Sequence, residues 1–402
     1  MTEPQKQVIF LSESLPLGGT STFALNVCSG LRELGDWSGV SAALRGLGEV
    51  GPQIRASGLE CLIPQKSAVI HEQRIEDLYR QCARTSARAV VAALSSGSFD
   101  FLRVVPEGCL RIGMIQSDEE GVYQLVTDYL PWLDAVVGVS QEICRKMAAR
   151  LGDRRIPVIH QPYGVPMPTG LTLRSTSGTL RILYLGRVIE EQKRVSMMAR
   201  IMRATLECGA NLEWTIAGGG PDLEFLKSQF TDSTKVRFLG SIPYQTVPQV
   251  LSQHDIYFLC SDYEGLPLSL LEAMGEGLIP VVSDLPSGVS EVVNENTGIR
   301  VGIDDEAGFV TALMLLAHDE ARRAALSVGA SEGVRQSHST RAMAQRWTAM
   351  LDQLLTERVP VWNPECRATA PLQLLGKWRF HSALRPLRLA RKRLKNWAAN
   401  RS

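Results

Sequence analysis

Five short apolar runs, RILYLGR, LEWTIAGGG, VRFLG, IYFLCS and IPVVSD, follow one another between residues 181 and 284, with helix-patterned stretches such as VSMMARIMRATLECG and DLEFLKSQF between them. Parallel strands need long crossovers, and the usual crossover is a helix, so this alternation predicts an α/β domain with a doubly wound parallel sheet. Ligands of such sheets bind outside the carboxyl ends of the strands. The search for chemistry therefore narrows to the residues just after each apolar run.

The first part of the chain repeats the pattern. VIFL is followed by the turn-rich SESLPLGG and by TSTFALNVCSGLREL, whose apolar spacing is helical up to Gly35; RAVVAAL, RIGMIQS and AVVGVS are further strand-like runs. A chain of 402 residues exceeds what one core ordinarily supports, so two α/β domains are expected. Residues 1–165 form the first, PMPTGLTLRSTSGT at 166–179 reads as the linker, and residues 180–357 form the second. Residues 358–402 stand apart: from Gly376 to Ser402 there are nine Lys or Arg and no acid, interleaved with residues such as Trp378, Leu387 and Trp397.

A net charge of +1 gives the whole molecule no footprint for nucleic acid, and none is expected as a partner. Eight cysteines are scattered singly without metal-type spacing, and MTEPQKQVIF has no signal-peptide pattern, which predicts reduced thiols in the cytoplasm. No apolar run reaches the ~18 residues of a spanning helix. The basic C-terminal segment, however, can lie on an anionic bilayer as a peripheral attachment; its plainer reading is a solvated helix or one packed on the first domain. Neither paired histidines nor a carboxylate-held metal site is seen, no nucleophile elbow is expected, and no metal or cofactor is called for.

In SDYEGLPLSLLEAMGEG the strand ends near Cys260, Glu264 and Gly265 fall in a loop, and Pro267 opens a helix running to about Gly275. The free N–H groups of Gly265, Leu266 and Leu268 at that helix start can receive phosphate or sugar oxygens. Glu272, set among apolar residues, can accept two vicinal hydroxyls on its two oxygens; both acids can also be plain solvated helix residues. At RILYLGRVIEEQKR, Gly186 and Arg187 end a strand and Lys193 and Arg194 follow, giving either a diphosphate clamp or a solvated basic surface. The glycines from Gly218 in TIAGGGPD allow close approach of a ligand or a tight turn. Gly18 and Gly19 sit between the first strand and helix, where their N–H groups can face an anion, although neither GxGxxG nor GxxxxGK[ST] is present there.

Taken in order, G-R-x5-K at Gly186, Arg187 and Lys193, then AGGGP, VRFLG, the E-G-x6-E string from Glu264 to Glu272, and SGVSEVV resemble a retaining glycosyltransferase of the GT-B fold, family four, over roughly residues 5 to 350. The resemblance implies two Rossmann-like domains facing a cleft. A sugar would pass from a nucleoside diphosphate donor to a glycan, lipid-linked or other small acceptor held mostly by the first domain. It implies catalytic roles for Arg187 and Lys193 on the diphosphate and for Glu264 at the donor sugar. It implies donor binding by Gly18, Gly19, Gly186, Gly218, Gly265, Leu266, Pro267 and Leu268, with Glu272 on the ribose. Many members carry a first-domain His near the sugar; RIGMIQSDEE offers Gln116, Ser117 and Asp118 instead, and the family's Asn-Gly-Val reads Tyr163, Gly164 and Val165. Two other readings stay open: a non-catalytic partner subunit that binds nucleotide sugar on the same fold, and a sugar-nucleotide epimerase or phosphorylase.

Overall fold

A computed structural model describes residues 5–357 except 17, 66, 69, 94, 106, 107 and 171–177. Half of the expected linker, residues 171–177, and the whole basic segment 358–402, with its expected membrane contact, lie outside the described residues.

Two parallel sheets carry the chain. The first contains β1 Lys6–Ser12, β2 Trp37–Ala43, β3 Cys61–Leu62, β4 Ala87–Ala93, β5 Leu110–Ile115, β6 Ala135–Gly138 and β7 Val158–His160, in the order β3-β2-β1-β4-β5-β6-β7. The second contains β8 Leu180–Leu185, β9 Leu212–Ala217, β10 Val236–Gly240, β11 Ile256–Leu259, β12 Ile279–Ser283 and β13 Ile299–Val301, in the order β10-β9-β8-β11-β12-β13. Every pairing between neighbouring strands is parallel. Helices therefore cover both faces, which is why Ile256 to Leu259 and Ala135 to Gly138 are buried at every position rather than alternately.

All five runs that open the sequence reading are strands. Helix Gly19–Leu34 forms where the helical spacing predicts it and stops at Gly35, whose φ of 87° lets its N–H reach back to the carbonyl of Leu31. The sequence reading left out β2, β3, β7 and β13.

The last described helix, Thr340–Glu357, falls in the stretch assigned to the second domain but packs on helix Gly19–Leu34 of the first. Its Trp347, fully buried, meets Phe10 edge-on at 5.1 Å and lies 6.0 Å from Phe23. A buried aromatic of this size anchors by ~3–5 kcal/mol. Where the chain crosses back, Val165 pairs with Ser339 in an isolated bridge, and a side chain on Gly164 would fall 2.6 Å from the Ser339 carbonyl. The two connections thus run side by side, and the site lies between the sheets.

Candidate active site

In each sheet the winding reverses once, between β1 and β4 and between β8 and β11, and the strand ends on either side of a reversal leave a crevice. Gly186 and Arg187 follow β8, and the Glu264 loop follows β11, so the two motifs singled out in the sequence flank one crevice.

The GGG string shapes its floor. Gly218, at φ 153°, packs so tightly on the β8 loop that a Cβ would stand 1.7 Å from the carbonyl oxygen of Gly186; at Gly220, φ 156°, the same atom would stand 2.0 Å from that of Val188. The loops are laced by Gly186 N–H to Ala217, Val188 N–H to Gly219 and Gly218 N–H to Gly240, at 3.0, 2.9 and 2.8 Å. Of the two uses open for these glycines, the structure displays a tight loop-on-loop fit, with Arg187 carried on top.

The charged groups divide by role. Arg187 is exposed, and among the described residues its guanidinium has no hydrogen-bond or ion-pair partner. Lys193, 9% exposed, is hydrogen-bonded through Nζ to Oε1 of Glu264, itself 6% exposed, in a buried ion pair. Gln192 clasps the same loop by donating to the Tyr263 carbonyl at 3.2 Å, and Asp262 N–H donates to the Gln192 carbonyl at 2.9 Å. Arg194, expected beside Lys193 in a clamp, points elsewhere: at φ 51° it pairs with Asp262 and Asp304 and donates to the Ile303 carbonyl. It ties loops together.

Helix Leu268–Gly275 starts at Pro267 and buries Leu268, Leu270, Leu271, Ala273 and Met274, while Ser269 bonds the Tyr257 hydroxyl at 2.8 Å. Leu266 is buried beneath the loop. Glu272 is partly buried on this helix, and among the described residues its carboxyl has no hydrogen-bond partner; desolvation pushes it up to about 8. Its charge adds to burial in raising the Tyr244 hydroxyl, whose group donates to Asn26 Oδ1 of the first domain at 3.3 Å.

The first domain faces this helix start. A Cβ on Gly19 would lie 3.8 Å from a methyl of Leu268, while Gly18, at φ 146°, has open space around it. A Cβ on Gly265 would stand 2.4 Å from the carbonyl oxygen of Gln116, so only glycine permits that closeness across the cleft. Gln116 is buried, with neither polar atom of its side chain in hydrogen-bond geometry, although Tyr163 lies near enough for its hydroxyl to feel the amide. Its two neighbours turn away: Asp118 accepts from Lys146 and Tyr123 at 2.6 Å each, and Ser117 donates to Glu119 at 2.5 Å.

Two features escaped the sequence reading. Glu291, inside the quoted SGVSEVV but given no role, joins the domains: its Oε1 accepts the Gln141 N–H at 2.6 Å and its Oε2 lies 3.2 Å from His160 Nε2. The signal was an acid in a short helix, Gly288–Val292, near the cleft. The string GASEG, Gly329 to Gly333, has the GxSxG spacing of a nucleophile elbow, yet it lies inside helix Glu320–Ser337, where Ser331 is fully buried and bonds the Gly275 carbonyl at 3.1 Å. A cavity of about 690 Å³ lies between β7 and the closing helix, and one of about 640 Å³ lies beside Asn26, Tyr244 and Arg341.

Residues 179–319 match the family described as Glycosyl transferases group 1. The chain is 34% identical over 146 residues to the amylovoran biosynthesis glycosyltransferase AmsK of Erwinia amylovora, covering 34% of this chain and 35% of that protein. It is 23% identical over 303 residues to a GDP-mannose-dependent monoacylated alpha-(1-6)-phosphatidylinositol monomannoside mannosyltransferase of Corynebacterium glutamicum, covering 70% of this chain and 78% of the relative. The chain spans about a third of AmsK and about half (53%) of the O-antigen glycosyltransferase WbnH of Escherichia coli. In fold it resembles TarM of S. aureus, solved with UDP, fondaparinux and alpha-GlcNAc-glycerol, at a TM-score of 0.72 and 11% identity over 87% of this chain and 100% of that one. Anabaena HepE, solved with UDP and glucose, gives 0.70 and 12% at the same coverages. With two wound sheets facing one cleft, and with residues 179–319 matching the group 1 glycosyl transferases, this chain has the two-domain GT-B fold of its solved neighbours.

Proposed function

We propose that the chain transfers a sugar from a nucleoside diphosphate sugar to a hydroxyl-bearing acceptor, with retention at the anomeric carbon and without a metal. The observation that carries this reading is the convergence, at the second-domain crevice, of Arg187 and the Glu272 carboxyl, both without a partner among the described residues, with the buried Lys193–Glu264 pair and the helix start at Leu268. That sequence of groups suits a ligand with a negative middle and hydroxyls at both ends. Arg187, Lys193 and the free N–H groups from Leu268 take the diphosphate, whose charge grows as the glycosidic bond breaks. Glu272 accepts the ribose hydroxyls and Glu264 faces the sugar. The first-domain backbone at Gly18, Gly19 and Gln116 closes the other side and excludes water.

No side chain is required as a nucleophile in this scheme: the acceptor oxygen attacks the face that the diphosphate leaves, and the departing phosphate takes the hydroxyl proton. That the solved neighbours hold UDP and sugars, and that relatives are named for polysaccharide, O-antigen and glycolipid synthesis, supports this donor and acceptor class. Among the described residues no helix is long and apolar enough to cross a membrane. A place at an anionic bilayer rests on the basic sequence of residues 376–402.

The test is a thermal-shift and donor-hydrolysis panel of nucleoside diphosphate sugars, with and without EDTA, on the full chain and on Glu272→Ala. A donor-specific shift that the variant loses, with turnover indifferent to EDTA, is expected. A wild type that shifts with a donor but never turns it over would favour the non-catalytic subunit, and one that neither shifts nor hydrolyses any donor would overturn the donor reading.

A further inference from the structure

β7 ends the first sheet, with β6 as its one neighbour, and the closing helix Thr340–Glu357 forms the other wall of the cavity of about 690 Å³. That volume falls within the ~300–1,000 Å³ of small-molecule sites, and the cavity shares no lining residue with the donor crevice. Ile156 and Ile159 face Met350 and Leu354 across it. Its polar groups gather where the helix meets the end of β7.

There a cation stands without a counter-charge. Arg346 donates through Nη1 to the Ser337 carbonyl at 2.7 Å and through Nη2 to the Pro162 carbonyl at 3.2 Å. Those two bonds use two of the five N–H groups of a guanidinium; Nε is buried without a partner, and no acid pairs with Arg346 among the described residues. Gln161, 4% exposed, donates to the Arg346 carbonyl at 3.3 Å and leaves its Oε1 buried without a partner. Burial, with Arg346 and His160 adding, holds the His338 imidazole down at about 4, and burial lowers the Arg346 guanidinium as well. Glu291, the acid beside His160, already accepts the Gln141 N–H. A charge drawn out of water without a counter-ion is destabilising, and a bound anion relieves it.

We infer that this cavity binds a single alkyl or acyl chain ending in a phosphate monoester. The phosphate answers both unmet groups: its anionic oxygens accept from the unused N–H groups of Arg346, and with a second pKa of ~6 it also carries, part of the time, an O–H to donate to Gln161 Oε1. A carboxylate, with its pKa of ~4, has no such proton at neutral pH. The chain follows the apolar walls. From Arg346 the helix rises ~16 Å to Glu357, which lines the far end of the cavity, and a dodecyl chain spans that length. The site is independent of the donor reading, because no group of the donor crevice takes part in it.

The probe is dodecyl phosphate, kept below its micelle-forming concentration and titrated by calorimetry into the full chain, beside dodecanoate and inorganic phosphate. Wild type is compared with Arg346→Gln and with Ala349→Trp, which places a ring in the cavity from an exposed position of the helix. Binding of about one dodecyl phosphate per chain is expected, about tenfold tighter than dodecanoate, with inorganic phosphate below detection. Arg346→Gln should weaken it at least about tenfold, and Ala349→Trp should abolish it while melting as wild type does. A wild type that binds no dodecyl phosphate, or that binds dodecanoate or inorganic phosphate as tightly, would overturn the assignment. So would binding that survives both substitutions, the result expected if the basic residues 376–402 capture the probe. Should Arg346→Gln fail to fold for want of its two carbonyl bonds, Ala349→Trp and the three ligands on wild type still decide the matter.

Discussion

The two domains wind their sheets alike: three strands run out one way, the chain returns to the centre, and the rest run out the other way. What differs is how each crevice treats charge. In the first, Glu13 is matched by Arg45 and Asp100 by His71, all in contact with water. In the second, Lys193 and Glu264 are buried together, and the exposed Arg187 has no ion-pair partner among the described residues. One architecture thus offers matched charges on one side and spare positive charge on the other, and function lies in what the strand-end loops carry rather than in the winding.

The sharpest way to break that comparison is to remove one member of the buried pair. Lys193→Ala should leave Glu264 uncompensated and destabilise the chain by about 3–5 kcal/mol. Replacing both, Lys193→Met with Glu264→Leu, should restore most of the stability while donor binding stays lost. Urea unfolding and donor calorimetry on the two variants decide it; a Lys193→Ala as stable as wild type would show that the pair is not buried in solution. In the first domain, Arg45→Ala removes an exposed partner and should cost no more than ~1 kcal/mol.

A smaller contrast concerns two glycines with nearly the same φ. Gly218→Ala must face both a φ of 153° and a carbonyl at 1.7 Å, and should cost roughly 3 kcal/mol from strain and overpacking together. Gly18→Ala has a φ of 146° but open space, and should cost about 1 kcal/mol. Thermal melts of both variants test this, and equal losses would mean that backbone conformation, not the loop-on-loop fit, is what selects Gly218.

These differences were unevenly visible in the sequence. The strands of the second sheet were legible because Ile, Leu, Phe and Trp fill them, as in IYFLC and LEWTIA. β2, WSGVSAA, escaped because small residues have weak strand preference, and its place is set instead by close packing: a Cβ on Gly39 would lie 2.6 Å from the backbone of Cys28. β3, β7 and β13 are two or three residues long, below what any periodicity can register. At the site, Arg187, Lys193, Glu264 and Glu272 were found because they sit beside apolar runs. That Lys193 would spend itself on Glu264, that Asp118 would turn to Lys146, and that Glu291 would reach across to Gln141 are contacts between residues 28 to 150 positions apart. Local pattern carries no trace of them. The crevice around His71 and Asp100 lay in stretches without a motif, because only the reversal between β1 and β4 brings those loops together.

The gentlest probe is pH, acting on Glu272. Its carboxyl is held protonated up to about 8, whereas in the unfolded chain it ionises near 4.5. Between those values the folded state binds the extra proton, so the group's contribution to stability is largest below pH 4.5 and declines as pH rises through 8. With the carboxyl only partly buried, the decline should be on the order of 1 kcal/mol, and Glu272→Gln should flatten it. Donor binding should move the opposite way. Ribose hydroxyls donate best to the ionised carboxylate, so donor affinity should improve roughly tenfold from pH 6 to 8.5 and lose that dependence in Glu272→Gln. Calorimetry across that range gives the answer: a rising affinity that vanishes in the variant places the ribose on Glu272, and a flat profile in wild type would put the sugar nucleotide's hydroxyls elsewhere in the crevice.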